Sequence, residues 1–322
     1  MVFGGIMGFD VETGGRGTAV IVSAARIGAI CIAALALPAA AQMADRTTVD
    51  ERVRQAVPTV PPGIDTGTAA GSPLGSLLLL RERDFFTFAL NGGASYTSNA
   101  FLRDKGRDDD VMFNLDASLR AATVIAERFE LFAEVAGFGL RYADNDELNL
   151  NGVRGRIGTS TKIEGFDVGF TYAPTIAWDD DFDDHLVTLH PLALTVSRAF
   201  MLGREFALVP MLSGGYTFAD PSEFAAANAT ASITAAWLPS HEVSVFLTPS
   251  VSYRHYNDYF ESITGKTRKD WNFGVLAGVN YIPFPNALLQ VAMGGSFNDS
   301  SIEPLDYEVF NVGPSVRFSM RF

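Results

Sequence analysis

Cysteine is nearly missing from this chain, with Cys31 alone among 322 residues. A single thiol cannot form an internal disulfide, so no cross-linked framework holds the fold. Histidine is scarce (4 residues), and Lys plus Arg (24) fall well short of Asp plus Glu (37), for a formal net charge of -13. That balance argues against nucleic acid as a partner, because phosphate backbones are held by clustered cations. Long hydrophobic runs are missing too. The chain is 48% hydrophobic with a mean hydropathy of +0.15, yet no run reaches the roughly 18 apolar residues of a spanning helix. Lipid admits only helices and closed barrels, since every backbone polar group must be satisfied internally. A chain this apolar without a spanning helix therefore points to strands.

The one concentrated apolar run is Ile27 to Leu37, behind Arg26 and ahead of Ala39-Ala40-Ala41-Gln42. A basic residue, a short apolar stretch and an A-x-A site predict a secretory signal with cleavage after Ala41. Residues 1–41 read as leader and signal peptide, with Cys31 inside it. Residues 42–83 read as a flexible periplasmic segment, polar and rich in Pro and Gly (VPPGIDTGTAAGSP).

What the chain has in quantity is period-2 alternation, clearest at its end. In Val309 to Phe322, Phe310, Val312, Val316, Phe318, Met320 and Phe322 share one parity, while Asn311, Gly313, Ser315, Arg317, Ser319 and Arg321 share the other. This pattern describes a strand with one apolar and one polar face, long enough to cross a bilayer at a tilt. Alternating aromatic and apolar residues ending on a terminal Phe resemble the assembly signal of Gram-negative outer-membrane β-barrels. The resemblance implies that Phe318, Met320 and Phe322 address the barrel-assembly machinery. It also implies that the chain is integral to a Gram-negative outer membrane.

Similar alternation predicts about twelve strands, near 84–96, 111–125, 128–142, 152–163, 165–178, 185–200, 204–218, 223–238, 241–255, 269–282, 286–298 and 307–322. The fold class expected over 84–322 is all-β, a transmembrane antiparallel up-and-down barrel. Parity changes near Gly137 and Pro191 predict bulges. Odd-numbered connections are long and polar, among them YNDYFESITGKTRK, while even-numbered ones are tight. Long outer loops alternating with short periplasmic turns suit such a barrel. Tyr96, Tyr142, Trp178, Tyr216, Tyr253 and Trp271 are expected to mark an outer aromatic girdle, with Trp237 and Tyr281 on the inner one.

The polar parity nominates lumen-lining residues: Asp116, Arg120, Glu130, Glu134, Arg154, Arg156, Lys162, Arg317 and Arg321. Adjacent strands bring acids against bases, which either fills the interior with ion pairs or lines a selective pore. The acidic loop offers Asp179, Asp181 and Asp183 as weak cation ligands, without the spacing or turn glycine of a calcium loop. The expectation is therefore no metal and no cofactor. His185, His255 and Asp258 fall at the outer rim, where a hydrolase would place them, but no spacing fixes such a site. No catalytic residue is nominated.

Residues Gly92 to Phe101 (GGASYTSNAF) resemble the opening of barrels found with exopolysaccharide export systems, which implies polysaccharide as a solute. The expected function is a passive channel or export conduit for a polar solute. The alternatives are a non-conducting structural or adhesion barrel that meets lipopolysaccharide through its acidic loops, and a rim hydrolase. Outer-membrane lipid and lipopolysaccharide are the expected partners.

Overall fold

The computed structural model describes residues 86–322, apart from 126–128, 241, 262–265 and 303–304. The expected signal and periplasmic segment lie outside the described residues. Fourteen strand segments run β1 (Phe86–Thr97), β2 (Asp110–Ile125), β3 (Phe129–Tyr142), β4 (Leu150–Ile163), β5 (Phe166–Tyr172), β6 (Thr175–Asp179) and β7 (His185–Ser197). They continue as β8 (Phe200–Leu202), β9 (Phe206–Asp220), β10 (Ala226–Trp237), β11 (Val243–Glu261), β12 (Lys266–Phe284), β13 (Ala287–Ser300) and β14 (Tyr307–Arg321).

Every neighbouring pair is antiparallel, and β1 closes on β14 from Thr87↔Arg321 to Thr97↔Asn311. The segments make twelve barrel strands. β5 and β6 are one strand, since both pair with β4 and with β7. The break falls at Ala173-Pro174, where proline has no N–H to give the ladder; the Pro174 carbonyl instead accepts from the Gly155 N–H at 2.8 Å. β7 and β8 are likewise one strand along β9.

Closure removes both sheet edges, and the alternation then sorts side chains by solvent. Leu115, Leu119, Ile157, Leu212, Val275 and Val291 face outward and are exposed all round the wall. An apolar belt on a closed barrel is a lipid-facing surface, and the protein is an integral outer-membrane β-barrel. Phe318, Met320 and Phe322 belong to that outer face, at 50%, 49% and 70% exposed. Both described ends lie at the periplasmic rim, where the Phe322 N–H donates to the Phe86 carbonyl at 3.0 Å.

Four local expectations need correction. β3 carries no bulge at Gly137, because its register with β2 is unbroken from Met112↔Tyr142 to Ile125↔Phe129. The register of β7 with β9 runs straight through Pro191, and the irregularity sits at Leu186 instead. The stretch expected as loop after His255 is mostly strand, since β11 runs six residues past its expected end and β12 begins three residues before its expected start. Tyr142 is 5% exposed inside the barrel and does not belong to the outer girdle.

Candidate functional site: the lumen

From β2, β3 and β4 the inward parity presents one continuous charged surface. Register sets Arg120 opposite Glu134 and Glu134 opposite Arg156, so three charges of alternating sign lie in one row. All three are buried. The Arg120 guanidinium also pairs with Glu130. Phe132 projects between the strands, with the Arg120 and Arg156 guanidinium carbons 4.7 and 5.4 Å from its ring centre. A cation over an aromatic face gains from the ring's quadrupole and loses less on desolvation than one against aliphatic carbon.

Nearer mid-depth, Asp116 accepts from Asn91 Nδ2 at 3.0 Å and pairs with Arg154 at 3.4 Å. Arg317 of β14 stands opposite Asn91 in the register. Lower down, Lys162 lies 3.8 Å from Asp167 of β5, and Arg321 ends β14 exposed at the periplasmic rim. The structure thus brings seven of the nine nominated residues onto β2–β4, with Arg317 and Arg321 one strand beyond β1. Cations (Arg120, Arg154, Arg156, Lys162, Arg317, Arg321) outnumber carboxylates (Asp110, Asp116, Glu130, Glu134, Asp167) on this wall.

Below its outer end the facing wall is neutral, and its inward charges Arg254, Arg268 and Asp270 lie toward the mouth on β11 and β12. β9–β13 turn Ser213, Thr230, Ser232, Thr234, Ser244, Thr248, Asn280 and Gln290 inward, all buried. They bond one another: Thr234 to Thr248 at 3.0 Å, Asn280 Nδ2 to Ser244 Oγ at 3.1 Å, and Gln290 Nε2 to Asn280 Oδ1 at 3.1 Å. At the periplasmic end this wall is apolar, where Ala207, Ala236, Leu238, Ala292 and Leu276 pack on Phe246.

The outer mouth is roofed. Ala100, Phe101, Leu148 and Phe224 from the loops pack on Met112, Leu140, Tyr142, Leu150, Val187 and Leu189 of the inner wall. Leu148 and Val187 are fully buried. Opposite, Tyr256 and Tyr259 of the projecting hairpin pack with Ile302 and Leu305. Buried Arg268 lies 4.2 Å over the Tyr256 ring and donates to Asp270, which also accepts from Ser300 Oγ at 2.7 Å.

Polar side chains missed by the sequence reading fasten these loops. Asp110 accepts from the backbone N–H groups of Ala143, Asp144 and Asn145, and from Asn145 Nδ2 at 2.8 Å. Asn99 donates to the carbonyls of Arg103 and Glu308 at 2.8 and 3.0 Å. Asp306 accepts from the Ser300 N–H at 2.6 Å, while burial raises its carboxyl above the usual range. Asp110 falls just outside the strand expected at 111–125; its place at the start of an alternating run was the available signal.

Between roof and charged row, inward side chains stay half-exposed: Asn91, Asp116, Arg154, Asn228, Ser252, Asn272, Ser296 and Arg317. A polar space therefore exists at mid-depth.

The rim residues do not assemble into a site. The Asp179 carboxylate accepts from the Asp183 N–H at 2.9 Å, and Asp181 and Asp183 are exposed. Among the described residues no group of three or more His, Cys, Asp or Glu is placed to hold a metal. His185 bonds Thr188 at 2.9 Å, and His255 lies on the outward parity between Ala227 and Lys269.

No family model matches the chain, and no curated protein matches it. Solved structures with similar backbones are outer-membrane barrels. The COG4313 outer membrane channel from Pseudomonas putida F1 is 12% identical, with a TM-score of 0.49, over 74% of this chain and 98% of that one. The CymD monoaromatic hydrocarbon channel is 12% identical, with a TM-score of 0.41, over 78% and 93%. The translocator domain of the autotransporter NalP from Neisseria meningitidis is 11% identical, with a TM-score of 0.40, over 76% and 91%.

Proposed function

We propose that this barrel is a passive outer-membrane channel for small polar solutes that favours anions, acidic sugars among them. The supporting observation is the sign of the lumen wall. In a chain of net charge -13, the inward residues of β2–β4 and β14 carry an excess of cations, and half-exposed Arg154 and Arg317 reach the mid-depth space. Fixed charges lining a narrow polar passage set the sign of what passes. Long polysaccharide requires the roof to move aside, which short solutes need to a smaller degree.

Planar-bilayer recording tests this. Folded protein should conduct, and reversal potentials in a KCl gradient should show chloride preference. Replacing Arg154 and Arg317 together with Gln should lower the chloride-to-potassium permeability ratio by roughly threefold or more. A ratio unmoved by both changes would sink the anion reading. The roof supports a second reading, a non-conducting barrel that works through its loops. Silence from protein shown to be folded by heat-modifiable gel migration would favour it.

A further inference from the structure

On the lipid-facing surface, a shallow groove of about 570 Å³ crosses β7, β9, β10 and β11 in the periplasmic half of the wall. Its floor is low because small or ring-closed residues stand where the belt elsewhere carries Leu, Phe or Val: Pro210, Ala231 and Pro249. Val196, Leu212 and Ile233 form its sides. At its periplasmic end lies Arg198, one residue beyond the Asp167↔Ser197 pair that ends the β5–β7 register.

Arg198 is unusual for a lipid-facing position. Among the described residues no carboxylate pairs with it; the neighbouring turn residue Glu164 is exposed and makes no ion pair to it. Its guanidinium instead rests near two rings, 5.0 Å from Phe166 and 5.1 Å from Phe200. Aromatic residues mark the interface of such barrels, and a cation stacked there is held at headgroup depth. The stacking leaves guanidinium N–H groups able to grip an anion in fork geometry.

An apolar trough that ends in a held cation at the membrane interface matches a molecule with an acyl chain and a phosphate. We propose that this groove is a specific site for one glycerophospholipid of the periplasmic leaflet. The chain lies over Pro210, Ala231 and Pro249, and the phosphate bonds Arg198. The site is on the outer wall and is independent of whether the lumen conducts.

Native mass spectrometry of the folded barrel in mild detergent, with added dimyristoyl phosphatidylglycerol, reads the site directly. The wild type should retain one lipid per barrel. Arg198→Gln should lower that adduct at least threefold, and Arg198→Lys should restore part of it. Ala231→Trp, which fills the trough and leaves Arg198 in place, should lower it comparably. Lys269→Gln, an outward cation at the opposite rim, should leave it unchanged. The proposal is overturned if the adduct survives both Arg198→Gln and Ala231→Trp, or if Lys269→Gln removes it equally. Barrels cross-linked to each other through Ala231→Cys in lipid vesicles would also overturn it, since a second copy would then occupy the groove.

Discussion

The wall of β2–β4 and the wall of β9–β13 enclose the same passage with opposite chemistry. The first is held by full charges in a buried row, Arg120, Glu134 and Arg156, with Glu130 beside them. The second is held by hydroxyls and amides that bond one another. Both remove polar groups from water, but the cost of error differs. A neutral group left without its partner costs about 1–3 kcal/mol, whereas an orphaned buried charge costs several. The charged wall should therefore be rigid and intolerant, and the neutral wall forgiving. Both walls use one packing device, an inward aromatic laid over a glycine of the adjoining strand. Phe132 covers Gly158 on the charged wall and Phe246 covers Gly278 on the neutral one.

The largest effect expected is at the charged row. Arg120→Ala leaves Glu130 and Glu134 buried with less compensation, and should destabilise the barrel by about 3–5 kcal/mol. Urea unfolding in lipid vesicles, followed by tryptophan fluorescence, reads that change. Arg120→Met combined with Glu130→Leu should recover most of the loss, because apolar replacement of a whole buried pair is often neutral. If Arg120→Ala costs under about 1 kcal/mol, the row is wet and the contrast between the walls collapses.

The pattern of what was legible follows the same geography. Where one face meets lipid and the other meets polar lumen, hydropathy alternates, and strands such as β2, β10 and β14 stand out in the sequence. The outer third of the barrel breaks that rule. Phe138, Leu140 and Tyr142 turn inward onto the roof, so apolar residues change face without any slip in register, and the text imitates a bulge at Gly137. The projecting hairpin misleads in the opposite direction. Lys266 to Arg268 is strand, but it lies beyond the lipid and reads as a charged loop. The charged candidates were legible because parity alone selects them. The roof, the Asp110 anchor and the Arg198 groove depend on contacts between distant strands, which no local pattern records.

A middle-sized effect is expected from the shared packing device. A Cβ added at Gly278 would lie 2.7 Å from the tip of Phe246, and one at Gly158 would lie 2.5 Å from the tip of Phe132. Each aromatic must shift, and a backbone carbonyl also lies close (Val291 at 2.8 Å, Phe170 at 2.9 Å), so Gly278→Ala and Gly158→Ala should each cost about 1–3 kcal/mol by overpacking. Gly137→Ala is the internal control, since a Cβ there meets nothing within 4 Å. The two costs also compare the walls. Phe132 is hemmed in by Arg120 and Arg156, whereas Phe246 is bounded by alanines and leucines. Gly158→Ala should therefore cost more than Gly278→Ala, and the reverse order would place the rigid wall on the wrong side.

The smallest effect tests the claim that the neutral wall is forgiving. Thr234 and Thr248 share one hydrogen bond at 3.0 Å, both buried. Thr234→Val keeps the shape, removes one hydroxyl and strands the other, for about 1 kcal/mol. Thr248→Val should cost the same alone. Together they should cost no more than either single change, because two valines leave nothing buried and unbonded. The thermodynamic cycle in urea would then give a coupling of about 1 kcal/mol, against several for the Arg120–Glu130 cycle. Strict additivity at the threonines would mean that each hydroxyl has another partner, such as water in the lumen. In that case the neutral wall is part of the wet passage and not packed barrel, and solute contacts should be sought there as well as at Arg154 and Arg317.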